Sequence, residues 1–281
     1  MAATRVRVHG VLKRTGAKAS LPPRVERPDI THCWVKGYML LNLKLTYIHV
    51  IPLIELPEPI KCKILERRNR FVVEVLVKEE HALAHITNTG RLTDYLIHGR
   101  IGYCLPKYEG VTKFKLIAVE DRGKAALIDT GFQMQAFEKA LNRKLIPWAA
   151  CRIITRAPKL SSSRLDYLLK CGSYRMFVEV KSAVLRDGFY AMYPDCPTMR
   201  GRRHLSEISE YVKKGGKALI VFIAALPDVK AFKPYEKGDP EIPLLLAKAA
   251  EAGVTVKAVS MHYEPSTSCI FLDNPDLPVY I

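Results

Sequence analysis

The seven residues Ala218–Ala224 (Ala-Leu-Ile-Val-Phe-Ile-Ala) contain no polar side chain. A strand that is apolar on both faces belongs to a sheet covered on both sides, so this run has to lie in a buried sheet. The neighbouring segments supply the cover. Thr198–Lys213 reads as a helix that opens with basic residues, with Thr198 at the N-cap position. Ile242–Ala252 reads as a second helix, stopped by Gly253, and Val254–Val259 as a final strand. Upstream, Ala125–Ile128 reads as a strand and Gln133–Leu141 as an amphipathic helix. With a hairpin between them, the order strand–helix–hairpin–helix–strand–helix–strand predicts an α/β mixed sheet flanked by helices.

The hairpin carries the chemistry. Leu165–Leu169 and Met176–Lys181 are two apolar runs, and Cys171-Gly172 is the expected tight turn. With Lys170 opposite Ser173, Asp166 faces Phe177, and Glu179 is its diagonal neighbour on the same face. Lys181 follows Glu179 at i+2 and points the same way. Two carboxylates and an ammonium group on one patch are the layout of a Mg²⁺-dependent phosphodiesterase site, Asp…Glu-x-Lys. Mg²⁺ takes one or two carboxylates plus water and phosphate oxygens. A metal-bound water is a usable nucleophile, and Lys181 is placed to orient it or to stabilise phosphate charge. A one-residue change in register would separate Asp166 from the other two. Taken alone, the pattern favours a plainer reading, a solvated sheet face with a cross-strand ion pair.

The rest of the chain bounds the partners. Its 281 residues suit two modest domains, and 48% hydrophobic residues suffice for a core. The formal net charge of +16 is a hint of a polyanionic partner, with a simple solubility charge as the alternative. Residues 1–38 hold eight Lys or Arg against two acidic residues, and Pro22, Pro23 and Pro28 break any helix, as in a loose basic arm; Met39 is an internal candidate start. No secretory signal is expected, since residues 1–20 are basic and lack an apolar core. Tyr38–Leu56, the best apolar run, is interrupted by Lys44, His49, Pro52 and Glu55, so no membrane span is expected and a cytoplasmic location is. Seven scattered cysteines without a Cys-x-x-Cys pair argue against structural zinc and leave disulfides unassigned.

Residues 58–119 read as β structure. The expected strands are Lys61–Leu65, Arg70–Val77, Ala82–Ile86, Gly99–Leu105 and Lys113–Val119, with Arg67-Arg68-Asn69 as a hairpin turn and Thr93–Leu96 as a short helix. Five short strands with a helix between the third and fourth match an OB-like β-barrel, a common nucleic-acid platform.

These motifs resemble the sugar fermentation stimulation protein A family. The resemblance rests on Asn88-Thr89-Gly90-Arg91-Leu92, Ile128-Asp129-Thr130, Ser163-Arg164-Leu165-Asp166-Tyr167-Leu168-Leu169 and Glu179-Val180-Lys181. It also rests on Pro194-Asp195-Cys196-Pro197-Thr198-Met199-Arg200-Gly201 with the trailing His204. It covers roughly residues 60–263, a two-domain span. It implies an OB-like domain followed by a domain shaped like the PD-(D/E)xK nucleases, in a family described as DNA-binding and linked by name to sugar catabolism. It also implies a site of Glu138, Asp166, Glu179 and Lys181, with Glu138 on the first helix as a third metal-binding carboxylate for Mg²⁺ or Mn²⁺. The chain departs from the family at Thr87, Met134, Lys113 and Leu226-Pro227, none of which touches the Asp…Glu-x-Lys core.

The expected organisation is a basic extension over 1–57, the barrel over 58–120 and the nuclease-like domain over 121–281. Arg200, Arg202, Arg203 and His204 open a helix and form an expected phosphate site, or else a solvated basic face; His204 alone could equally back a metal ligand or be a satisfied core residue. Arg91, Lys113 and Arg164 complete the expected nucleic-acid contacts. Gly90 is expected to supply a positive φ angle, Asp195 to be a turn residue or a supplement to the metal site, and Asp129 to be a turn or cap residue. Trp34 and Trp148 are too isolated to form a stacking platform. DNA is the expected partner, homodimerisation is an expectation of type, and two functions stay open: a Mg²⁺-dependent nuclease, or a non-catalytic DNA-binding regulator. Sugar or nucleotide enzymology lacks a Gly-rich phosphate loop.

Overall fold

The computed structural model describes residues 50–281. The basic arm, Trp34 and Met39 lie outside the described residues. The described residues open with β1 (Ile51–Glu55), β2 (Ile60–Asn69), β3 (Val72–Val77), β4 (Glu80–His85), β5 (Ile101–Pro106), β6 (Phe114–Asp121) and β7 (Lys124–Leu127). Helix α1 (Thr130–Asn142) follows, then β8 (Arg152–Arg156), β9 (Lys159–Leu160), β10 (Ser163–Arg164), β11 (Tyr167–Cys171), β12 (Tyr174–Ser182), β13 (Leu185–Asp187) and β14 (Tyr190–Tyr193). The last part comprises α2 (Met199–Lys213), β15 (Ala218–Ala224), β16 (Ala231–Pro234), α3 (Glu241–Glu251), β17 (Thr255–Glu264) and β18 (Cys269–Leu277).

Strands β4-β3-β2-β5-β6 run in that order, and a parallel pairing of β4 with β6 (Ala84↔Phe114) closes them into a five-stranded OB barrel. Alternation builds its interior: Val73, Val75 and Val77 point inward from β3 while Glu74 faces outward. The turn after β2 is Arg70-Phe71, and Arg67–Asn69 stay in the strand, one turn later than the sequence reading placed it. Thr93–Leu96 forms one hydrogen-bonded turn after Leu92 rather than a helix, because only Leu96 completes an α-type bond to Leu92.

The barrel runs on through β6 and β7 into a mixed sheet ordered β7-β17-β15-β12-β11-β8. The all-apolar β15 is buried at every residue, between parallel neighbours β12 and β17. Helix α2 lies on β15 and against α3, while α1 packs on β1, β7 and β18. Thr198 caps α2 by accepting from the Gly201 N–H at 3.0 Å, as its position implies. Strand β17 is not the last: β18 pairs with it, and β1 pairs with β18 (Ile51↔Leu272). Strand β1 therefore lies within the stretch 1–57 read as a basic extension. An edge strand tolerates its Pro52. Among the described residues no helix is long and apolar enough to cross a membrane.

Two long-range ties fix the frame. A disulfide joins Cys151 to Cys171, between the segment before β8 and the end of β11. Fully buried Asp129 caps α1 by accepting from the Phe132 N–H at 2.8 Å, and it also accepts from the Thr87 hydroxyl and from Lys115 Nζ, both at 2.9 Å. One carboxylate thus binds the barrel to the first helix of the second half.

Candidate active site

The hairpin turn is Gly172-Ser173, with φ +58° at Gly172, and the ladder pairs Lys170 with Arg175 and Tyr167 with Val178. This register is displaced by two residues from the sequence expectation of Lys170 opposite Ser173. An even displacement keeps every side chain on its face. Asp166 sits just before β11, donates its N–H to Val178 O at 3.1 Å and accepts from the Val180 N–H on Oδ2 at 2.6 Å. Glu179 and Lys181 follow on β12, with Lys181 Nζ donating to Glu179 Oε1 at 2.5 Å.

His204, on the first turns of α2, is buried and bonds Glu179 Oε1 through Nδ1 at 2.6 Å. Its Nε2 faces Arg200 Nε at 3.3 Å. A guanidinium N–H only donates, so His204 Nε2 accepts from Arg200 and Nδ1 is the nitrogen that donates to Glu179. His204 is therefore a buried partner of Glu179, the alternative role open to it in the sequence, and not a phosphate contact. Burial pushes the Glu179 carboxyl up, but His204 and Lys181 outweigh it and hold it below the usual range. Burial pulls Lys181 down, yet Glu179 outweighs that and holds the ammonium above its ordinary value. At Asp166 burial, then the Glu179 charge, outweigh the Val180 N–H bond and the Lys181 and Arg200 charges and push the carboxyl up to about 6. Glu179 Oε2 is buried and has no hydrogen-bond partner.

Asp166, Glu179, Lys181 and Arg200 line one cleft of about 450 Å³. Its other wall is the barrel loop 87–90, with the Tyr193–Thr198 segment beside it. The loop is held from both sides. Arg67 donates to the carbonyl oxygens of Gly90, Arg91 (3.0 Å), Arg70 (2.8 Å) and Asn88 (3.3 Å). Asn88 Nδ2 donates to Ser182 Oγ at 3.4 Å, and Asp195 Oδ2 accepts from the Leu92 N–H at 2.8 Å. Asp195 is thus a strut between the two halves rather than a simple turn residue. Gly90 does not adopt a positive φ. It is required for close approach, since a Cβ there would lie 2.6 Å from the Asp195 carboxylate.

Other expected site residues lie elsewhere. Glu138 on α1 is gripped by Arg156, Nε to Oε1 at 2.9 Å and Nη2 to Oε2 at 2.6 Å. That bond holds its carboxyl below the usual range, and it does not line the cleft. Arg202 is spent on buried Asp239 (Nη2 to Oδ1 2.8 Å) and on Glu241. Arg203 donates to Ser163 Oγ at 3.2 Å and Arg164 to Ala157 O at 3.2 Å. Arg91 and Lys113 are exposed outside the cleft lining. Sequence reading missed Arg67, Arg70 and Tyr193 at the site; no local pattern marks them.

The barrel corresponds to a match over residues 65–128 to the SfsA N-terminal OB domain. The second half matches the sugar fermentation stimulation protein RE domain over residues 131–267. A sugar fermentation stimulation protein homolog from Pyrococcus furiosus is 52% identical over 220 residues, covering 78% of this chain and 96% of the relative. The chain belongs to the sugar fermentation stimulation protein family. The homolog from Archaeoglobus fulgidus is 42% identical over 229 residues, covering 82% of this chain and 99% of that one. Among solved structures, Pyrococcus furiosus SfsA in complex with Ca²⁺ superposes with a TM-score of 0.79 at 50% identity, over 82% of this chain and 100% of that chain. The family models change over between residues 128 and 131, where Asp129 ties barrel to helix.

Proposed function

We propose that this family member is a cytoplasmic DNA-binding protein that holds Mg²⁺ or Mn²⁺ at Asp166 and Glu179 and hydrolyses phosphodiester bonds. The observation that carries the reading is Glu179 Oε2, a buried carboxylate oxygen without a partner. Such an atom costs its full desolvation unless a further group satisfies it. Beside it, the raised pKa of Asp166 marks a second carboxylate whose burial and Glu179 neighbour outweigh the nearby Lys181 and Arg200 charges. A hard divalent cation answers both needs. Among the described residues no three His, Cys, Asp or Glu side chains form a cation cage. Two carboxylates with room for water are the usual Mg²⁺ arrangement. The Pyrococcus furiosus relative was solved in complex with Ca²⁺, another oxygen-seeking cation.

Bound there, the cation supplies a more acidic water and neutralises phosphate charge. The protein's own groups do the rest. Lys181 stays protonated at neutral pH, so it acts as a positive donor to the phosphate and not as a base. Arg200 spends only Nε on His204, which leaves its outer nitrogens for a phosphate oxygen. His204 and Lys181 both hold Oε1, which fixes the orientation of Glu179 and leaves Oε2 for the cation. A net charge of +16 favours a polyanion at long range.

The test is cleavage of labelled DNA with Mg²⁺ or Mn²⁺ by wild type, Asp166→Ala and Lys181→Ala. Cleavage by the wild type alone, with salt-sensitive binding retained in all three, is the expected result. Binding without cleavage in any of them would overturn the catalytic part and leave a DNA-binding regulator on the same scaffold.

A further inference from the structure

The end of the barrel beside the cleft carries side chains for which the proposed hydrolysis has no use. Three segments meet there. Val72 pairs with His85, and the Ile86 N–H donates to Phe71 O at 2.9 Å, so the Arg70-Phe71 turn lies along one side of the end of β4. On the other side His85 pairs with Lys115, which brings in the base of the β5–β6 loop. That loop is closed by the Lys107 N–H donating to Lys113 O at 2.8 Å. Leaving β4, the chain runs directly into the loop 87–90 that walls the cleft, and Arg70 itself lines the cleft.

The exposed and half-buried groups at this end are of two kinds. Phe71 is 48% and Tyr108 94% accessible to solvent, although rings of this size are normally covered. Around them stand Arg70, whose guanidinium lies 5.8 Å from the Phe71 ring centre, with Arg91, Lys107 and Lys113, against one acid in the loop, Glu109. Exposed rings among cations fit a ligand that alternates flat aromatic groups with negative charges. A duplex hides its base faces in its own stack, whereas an unpaired strand offers them. Loops joining the first two and last two strands of an OB barrel are where such barrels take oligonucleotides, and Arg70-Phe71 and 107–113 hold those positions here.

We propose that Phe71 and Tyr108 stack unpaired bases of a single-stranded nucleic acid whose phosphates pass Arg70, Lys107, Lys113 and Arg91 on the way to the cleft. This rests on the nucleic-acid reading above and narrows it to a single-stranded substrate. The experiment is fluorescence anisotropy in EDTA. It uses a labelled DNA strand of about 20 nucleotides, longer than the roughly 4–16 covered by one OB barrel, free and annealed to its complement. Wild type should bind the single strand at least about tenfold more tightly than the duplex. Phe71→Leu/Tyr108→Leu keeps apolar bulk without a ring. It should lose about tenfold or more on the single strand, in line with the stacking contribution of one or two bases, and nothing on the duplex. Phe71→Trp/Tyr108→Trp should restore the loss. Equal affinity for both DNAs, or an unchanged Leu variant, would overturn this proposal and leave the hydrolytic site standing. No binding of either DNA at low salt would instead remove the nucleic-acid reading itself.

Discussion

Asp166 should weaken the metal-free protein at neutral pH. Burial and the neighbouring Glu179 charge raise its pKa from 3.8 to about 6, against the Val180 N–H and the Lys181 and Arg200 charges. At about 1.36 kcal/mol for each tenfold change in proton affinity, the ionised form loses about 3 kcal/mol on folding. The unfolded chain releases this proton near 3.8 and the folded chain near 6, so between those values the folded state binds more protons. Stability therefore falls as pH rises through that window; the whole penalty is present above it and none below. Asp166→Asn cannot ionise and keeps an oxygen for the Val180 N–H. In EDTA the variant should exceed wild type by about 2–3 kcal/mol near pH 7.5 and match it near pH 4, read from guanidinium denaturation. Saturating Mg²⁺ should then stabilise wild type more than the variant, because only the native site binds it. A variant less stable than wild type near pH 7.5 without metal, or a gap that does not change with pH, would refute the assignment of Asp166 as a buried acid whose ionisation opposes folding.

Three further outcomes follow from the same geometry. Glu138→Gln should change Mn²⁺ affinity by less than about threefold, since its carboxylate is held by Arg156, whereas Glu179→Gln should lower it by about tenfold or more in calorimetric titration. Asp129→Ala removes the α1 cap and the partner of Lys115 and Thr87, and should cost at least about 2 kcal/mol in denaturant unfolding. Cys151→Ser opens a disulfide spanning 20 residues and should cost about 3 kcal/mol, with dithiothreitol producing the same loss in wild type and none in the variant.

The sequence announced what depends on parity and local chemistry. The strand Ala218–Ala224 appears residue for residue, because an all-apolar run has no other stable place. Asp166, Glu179 and Lys181 share a face although the turn was read one residue early, because the resulting register error was even. Long-range partners were not legible. Arg156, 18 residues from Glu138, takes the carboxylate that a motif assigns to the site. Arg67 reaches four carbonyl groups in the 70 and 88–91 segments, and nothing in its neighbourhood marks it. Gly90 looks like a turn glycine until Asp195, 105 positions on, is seen against it. Strand β18 escaped notice because Asp273, Asn274, Pro275 and Asp276 break its apolar pattern.

The most direct measurement is an anomalous difference map from crystals of the wild-type protein grown with Mn²⁺. A peak within coordination distance of Glu179 Oε2 and an Asp166 oxygen, at about 2.0–2.3 Å, is the predicted result. An empty cleft at saturating Mn²⁺, or a peak at Glu138 with Asp166 and Glu179 bare, would contradict the account.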